Sequence, residues 1–221
     1  MCNHFVRFVS GSVRYILVIA LVVHYNPVSA QYTGYTAVSD LTVFKSKFKA
    51  ESSNVSSIQS NFIQEKILSA LTEKIVSTGK FWFKRSNKVR IEYIKPFTYL
   101  MVMNGDKMLI RDEQKENRIN VKANRLFQQV NRIMIDCVQG TILDSKDFSS
   151  TVFEDKNTYL LEMTPTSKTL REFFQTIVLV VDKKNYSANS IEMNEPSGDK
   201  TTISFTDKKL NTQISDEVFT L

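Results

Sequence analysis

The chain is poor in the residues that carry most enzyme chemistry. Its two histidines, His4 and His24, both fall within the first 30 residues, and its two cysteines are Cys2 and Cys137. Those first 30 residues read as a removable secretory leader. Arg7 and Arg14 form a basic region, Tyr15 to Val23 an uncharged apolar run, and Val28-Ser29-Ala30 a small-residue cleavage site before Gln31. The apolar run falls short of the ~20 residues that a membrane-spanning helix needs, and no later run approaches that length, so an exported, soluble chain is expected. Without the leader no imidazole remains. Ser-His and Cys-His nucleophile pairs, histidine general bases and histidine-ligated metals are then excluded. Cys137 alone cannot close an intramolecular disulfide, so stability must come from a packed core. Cys2 precedes the apolar run and cannot serve as a lipid-attachment cysteine after cleavage.

Proline (4) and glycine (6) are sparse, and neither repeats nor low-complexity linkers break the chain. One domain over residues 31–221, mostly ordered secondary structure, is the expected organisation. The formal net charge of +6 falls by two when Arg7 and Arg14 leave with the leader, and it is spread rather than clustered. No nucleic-acid partner is expected from such a distribution. No glycine-rich phosphate loop, zinc-type cysteine spacing or calcium loop occurs, so neither cofactor nor metal is expected. Carboxylates such as Asp136, Asp144, Asp147, Glu154 and Asp155 are scattered, and no pair is set apart in apolar surroundings as glycoside hydrolysis requires. An exported carboxylate-dependent hydrolase is thus the weak alternative from the enzyme class.

What is present is periodicity. Ser39 or Asp40 can cap a helix with Leu41, Phe44 and Phe48 on one stripe. From Val55 the period becomes two, with Ile58, Ser60, Phe62 and Gln64 on one face. Further strands are expected at Glu73 to Lys84, Lys88 to Ile94, Tyr99 to Met103 and Lys107 to Asp112, with a hairpin at Asn104-Gly105-Asp106. A second helix interrupts at Asn124 to Val138, where Leu126, Val130, Ile133, Met134, Cys137 and Val138 recur at helical spacing before Gly140. Cys137 on that stripe reads as a buried, unreactive thiol. Strands then resume at Ser150 to Glu154, Thr158 to Met163, Thr176 to Asp182, Ser190 to Asn194 and Lys200 to Asp207, with a last extended piece near Val218 to Leu221. One large antiparallel sheet with two covering helices is the simplest architecture.

Two features of that sheet stand out. In Gly79 to Phe97, Phe81, Phe83, Arg85, Val89, Ile91 and Tyr93 share one parity, and Lys80, Trp82, Lys84, Lys88, Arg90 and Glu92 the other. Arg85 is the one charge on an otherwise apolar face. Methionines at 101, 103, 108 and 134 add soft apolar surface of the kind that adapts to varied partners.

These residues resemble the LolA-like periplasmic carriers of bacterial lipoproteins, in order along nearly the whole chain after the leader. Ser57 to Gln64 is similar to that family's strand ending in Phe-x-Gln. Gly79 to Arg85, followed by Arg90, Tyr93 and Pro96, resembles its glycine-to-Lys-Arg block with the later proline. Asn104-Gly105 resembles its hairpin, Leu161 to Pro165 its Leu-x-Leu-x-Pro, and Asn211 to Phe219 its closing segment. The resemblance implies a mainly β (α+β) fold: an incomplete antiparallel β-barrel, with helices forming a lid over an apolar cavity. It also implies a periplasmic, monomeric, non-enzymatic carrier. Such a carrier receives lipoprotein acyl chains from an inner-membrane ABC transporter and delivers them to an outer-membrane acceptor, protein or membrane. Arg85 carries over as the latch that hydrogen-bonds to lid-helix backbone groups. The expected acyl-chain cavity comprises Phe62, Phe81, Phe83, Val89, Ile91, Tyr93, Met101, Met103 and Ile110. The expected lid residues are Leu41, Phe44, Phe48, Leu126, Val130, Ile133 and Met134. Ser86 departs from the usual proline, Ile91 from a frequent tryptophan, and Met108 to Arg111 from an aromatic pair. A same-fold carrier or sensor of another lipid or glycolipid is the nearest alternative.

Overall fold

Asp40 stands in extended backbone, and its carboxylate accepts from the Val43 N–H at 3.0 Å, which starts helix α1 (Leu41–Ser53). Phe44 and Phe48, one turn apart, are buried on one side of it, their rings stacked at 5.6 Å. The protein's computed structural model describes residues 32–71, 73–121 and 125–221, with the side chains of 125–127, 130 and 131 outside that description. The expected leader, 1–30, therefore lies outside the described residues, as do the side chains of Leu126 and Val130. Among the described residues no helix is long and apolar enough to cross a membrane.

The alternating segments form β1 (Thr36–Ala37), β2 (Ser57–Ile67), β3 (Lys74–Lys84), β4 (Lys88–Lys95), β5 (Tyr99–Asn104) and β6 (Lys107–Arg111). They continue as β7 (Glu116–Asn120), β8 (Phe148–Glu154), β9 (Thr158–Pro165), β10 (Thr176–Asp182), β11 (Ala188–Asn194) and β12 (Lys200–Leu210). All join one open, curved antiparallel sheet in the order β1-β8-β9-β10-β11-β12-β2-β3-β4-β5-β6-β7. Strands β1 and β7, and the short helix α3 (Lys168–Arg171), escaped sequence reasoning because they are too short or too polar for a periodic signal. The extended piece expected near Val218 to Leu221 is instead a 3-10 turn, Asp216–Phe219, with the Ser215 hydroxyl accepting from the Glu217 N–H.

That turn packs on the convex face of the sheet. Val102 and Leu109 are buried there with Ile214 and Phe219, and Trp82 and Leu100 pack around them. The charged parity of β3 and β4 holds it in place. Lys84 Nζ donates to the Ile214 carbonyl at 2.8 Å and pairs with Asp216 at 2.6 Å, while Lys88 meets Asp216 at 2.9 Å. Both faces of β5 are thus covered, which accounts for its unbroken apolar run.

Helix α2 (Arg125–Gln139) crosses the concave face. It ends in paired hydrogen bonds, Thr141 N–H to the Asp136 carbonyl (2.9 Å) and Gly140 N–H to the Cys137 carbonyl (3.4 Å), with Gly140 at φ +70°. This is a Schellman ending, whose left-handed residue favours glycine. Gly140 also meets α1: a Cβ there would lie 2.7 Å from the Phe48 carbonyl oxygen and 2.9 Å from the Ser52 side chain. One glycine therefore both ends α2 and lets the two helices touch. Gly140→Ala should combine a left-handed backbone cost with overpacking, about 2–4 kcal/mol together. The expected reading is a Tm lowered by roughly 4–15 °C in thermal denaturation followed by circular dichroism.

Candidate functional site

The strand register sorts the apolar parity of the sheet into successive rows of opposed residues. Phe83, Val89, Met103 and Met108 form the row nearest the β3–β4 turn, and each is at most 3% exposed. The next row, Ser60, Phe81, Ile91 and Met101, borders a hollow instead of a packed interior. A third row, Phe62, Gly79 and Tyr93, forms its far wall, with the Phe62 ring so close over Gly79 that a Cβ would come within 2.5 Å of it. Tyr93 stacks edge-on against Phe62 at 5.0 Å and donates to Gln64 Oε1 at 2.8 Å. Its burial pushes the phenol up to about 12. Beyond Tyr93 lies a separate, open cleft lined partly by Phe97, Tyr99 and Asp112.

The hollow is a cavity of about 240 Å³. Its opposite wall comes from the second half of the sheet: Ile177 and Leu179 on β10, Ile191 and Met193 on β11, Ile203 and Phe205 on β12. Helix α2 roofs it with Ile133, Met134, Cys137 and Val138. No aspartate or glutamate reaches the wall among the described residues; Ser60, Ser187, Lys208 and the two tyrosines 93 and 186 are its polar members. Cys137 is partly accessible, yet it lines this internal space, and desolvation by burial pushes its thiol up to about 12.

The expected site residues therefore divide. Phe62, Phe81, Ile91, Tyr93 and Met101 line the cavity, as do Ile133 and Met134 from above. Phe83, Val89 and Met103 belong to the packed core beside it, and Ile110 packs against that core without reaching the wall. Helix α1 does not roof the cavity. Phe44 and Phe48 are buried in a neighbouring core with Leu161, Leu179 and Tyr186, and Leu41 is 36% exposed. The residues missed by sequence reasoning lie mostly on β10 to β12, although Ile177-x-Leu179, Ile191-x-Met193 and Ile203-x-Phe205 carry the same period of two. Nothing in their local sequence pairs them with a wall built a hundred residues earlier.

Arg85 lies in the β3–β4 turn, half-buried, next to the end of α1. Its Nε donates to the Val55 carbonyl at 2.7 Å, and its Nη2 to the carbonyls of Ser53 at 2.6 Å and Ser52 at 3.1 Å. The Ser52 and Ser53 carbonyls belong to the last turn of α1, where the helix dipole favours a cation, and Ser52 also accepts from the Val55 N–H at 3.1 Å. Ser86 and Asn87, the next two turn residues, have φ +72° and +59°. Proline, held near −65°, could not occupy position 86 in this turn, so the backbone that aims Arg85 requires a residue other than proline there.

The profile of a family described as outer membrane lipoprotein carrier protein LolA matches residues 53–221. No curated protein sequence matches the chain. Among solved structures, the chain is similar to a LolA superfamily protein from Nitrosomonas europaea at 15% identity, over 80% of this chain and 97% of that one, with a TM-score of 0.43. It is similar to the lipoprotein LppX of Mycobacterium tuberculosis at 7% identity, over 78% and 96% of the two chains, TM-score 0.42. A chain of the Pseudomonas aeruginosa MucA/MucB complex matches at 12% identity over 80% and 60%, TM-score 0.47.

The raised Cys137 pKa makes a direct expectation. With the thiol at about 12 rather than 9.0, the thiolate fraction at pH 8 is about a thousandfold smaller, a factor of ten per pKa unit. In a Cys2→Ser chain, reaction of Cys137 with a thiol reagent should be much slower when folded than in denaturant, by less than the thiolate ratio because a thiolate of higher pKa is the better nucleophile. Labelling at the rate of a free cysteine in the folded protein would show that α2 does not shield the cavity.

Proposed function

The chain belongs to the LolA family of outer membrane lipoprotein carrier proteins, and from that premise we propose that it shields lipoprotein acyl chains in the α2-roofed cavity. In this reading the chain is exported by its leader to the periplasm. It takes cargo released by an inner-membrane ABC transporter and delivers it to an outer-membrane acceptor. The observation that carries the reading is the cavity itself: an apolar hollow between two packed cores, walled by both halves of one sheet and roofed by one helix. Each acyl methylene exposed to water costs ~0.8 kcal/mol, so an aqueous crossing needs an enclosure of this kind. A transport role needs no imidazole, nucleophile or metal. Among the described residues the wall is apolar but for Ser60, Ser187, Lys208 and two tyrosines, a lining suited to acyl chains.

At about 240 Å³ the hollow is smaller than the ~300–1,000 Å³ that usually encloses a small ligand, so loading calls for α2 to move outward. Arg85 is suited to control that movement. It fixes the end of α1, and α1 touches α2 at Gly140. Hydrogen bonds from a charged donor to carbonyls contribute ~1.5–3 kcal/mol each when well buried and less in this half-exposed turn, a range that cargo binding can overcome. A second reading, a same-fold carrier of another lipid or glycolipid, is favoured by Ile91, which lines the cavity where the family often carries tryptophan.

Two outcomes are expected of purified protein. Leu179→Asp, which puts a carboxylate on the wall, should abolish binding of a fluorescent apolar probe, since an unpaired buried charge costs several kcal/mol. Arg85→Leu should still bind the probe but pass an acylated peptide to acceptor vesicles more slowly than the parent; transfer at the parental rate would remove the latch. In cells, depletion should leave outer-membrane lipoproteins at the inner membrane, and mass spectrometry of co-purified lipid decides between the two cargo readings.

A further inference from the structure

Strand β12 is not regular where it passes the cavity. Its pairing with β2 runs from Thr206 opposite Asn61 to Lys209 opposite Gln59, so two residues, Asp207 and Lys208, face the single Ser60. Asp207 takes φ +52° and turns outward, where its carboxylate accepts from Asn61 Nδ2 at 2.9 Å. Lys208 turns inward and lines the cavity. Bulges of this kind re-aim a side chain that alternation would have sent elsewhere.

The inward lysine is held, not loose. Its Nζ donates to Ser187 Oγ at 2.8 Å, the Ala188 carbonyl at 3.0 Å and Asn189 Oδ1 at 2.5 Å. Three acceptors match the three N–H groups of an ammonium, and all three are neutral. Lys208 makes no ion pair with a carboxylate among the described residues. Asp182 acts on it only through space, and burial lowers its pKa. Ser60, opposite the bulge and on the same wall, is 3% exposed, and its Oγ has no hydrogen-bond partner. Leaving a buried hydroxyl unpaired is costly, and apolar side chains would have filled this position without that cost.

We propose that Lys208 and Ser60 form a polar subsite in the cavity wall for an oxygen joined directly to an acyl chain, either the carbonyl of an acyl ester or the carboxylate of a free fatty acid. Ser60 supplies the direct hydrogen bond. Lys208, its protons already engaged by neutral acceptors, supplies a positive field, which acts strongly in apolar surroundings. The subsite sets where along the cavity the polar end of the chain stops, while the apolar rows accept chains of varied shape. It rests on the reading of the cavity as an acyl-chain site.

The test uses purified protein and competition of dodecanoate, methyl dodecanoate and dodecane against a fluorescent apolar probe, each affinity taken as a ratio of variant to parent. Lys208→Met should weaken dodecanoate by about tenfold, methyl dodecanoate less, and dodecane not at all, since only the field of the ammonium is lost. Ser60→Ala should weaken both oxygenated ligands by a few fold and leave dodecane unchanged. Its Tm should match or exceed the parent's, because the lost hydroxyl had no partner, so this variant carries the test if Lys208→Met folds poorly. Lys208→Arg should retain most of the dodecanoate affinity. Tighter binding of dodecanoate than of methyl dodecanoate by the parent identifies fatty acid as the better ligand; the reverse order identifies the ester. Variant ratios that are the same for all three ligands would overturn the subsite while leaving the cavity intact. A parent protein that binds none of the three would overturn the acyl-chain reading itself.

Discussion

A curved sheet whose apolar face is not filled by its own side chains has to be covered by something that does not fill it either. That constraint organises this protein. Each ~100 Å² of apolar surface withheld from water is worth ~2.5 kcal/mol, so an uncovered concave wall would collapse or aggregate. Helix α2 supplies the cover with a single stripe, Ile133, Met134, Cys137 and Val138, and leaves the middle row of the sheet unpacked beneath it. The cores on either side, one under α1 and the other at the β3–β4 end, are packed normally and keep the hollow from closing.

Helix α2 packs on both cores through Ile133, Met134, Cys137 and Val138, and it meets α1 at its end. The glycine ending brings it against the last turn of α1, and Arg85 ties the carbonyls of that same turn to the sheet. Carbonyl acceptors suit a reversible contact: the guanidinium gains charge-assisted hydrogen bonds, while no opposite charge is left stranded when they part. The other charged parity of β3 and β4 is used differently. Lys84 and Lys88 converge on Asp216, hold its carboxyl below the ordinary range, and clamp the C-terminal turn over the convex face. Cations a few residues apart thus hold the end of α1 and the C-terminal turn.

Much of this was legible beforehand. Period-two alternation placed Phe62, Phe81, Ile91, Tyr93 and Met101 on one face, and helical spacing found α1 and the Ile133–Met134 stripe of α2. Parity could not separate wall from core. Val89 and Ile91 are equivalent in the sequence pattern, yet Val89 is fully buried while Ile91 borders the hollow, because the two lie in successive rows covered by different parts of the molecule. Likewise Leu41 shares the stripe of Phe44 and Phe48 but falls past the edge of what α1 covers.

The amino-acid sequence by itself determined the longer elements, the inward parity of β2 to β4 and the absence of imidazole chemistry beyond the first 30 residues, since all three are local properties of composition and spacing. Only the tertiary structure decided where the interior is hollow, that β10 to β12 complete its wall, and that a bulge turns Lys208 inward toward an unpartnered Ser60. Those outcomes depend on which segments lie opposite one another across the curved sheet and on how far each helix reaches. Contacts between residues more than a hundred positions apart set them, and no short-range periodicity records such contacts.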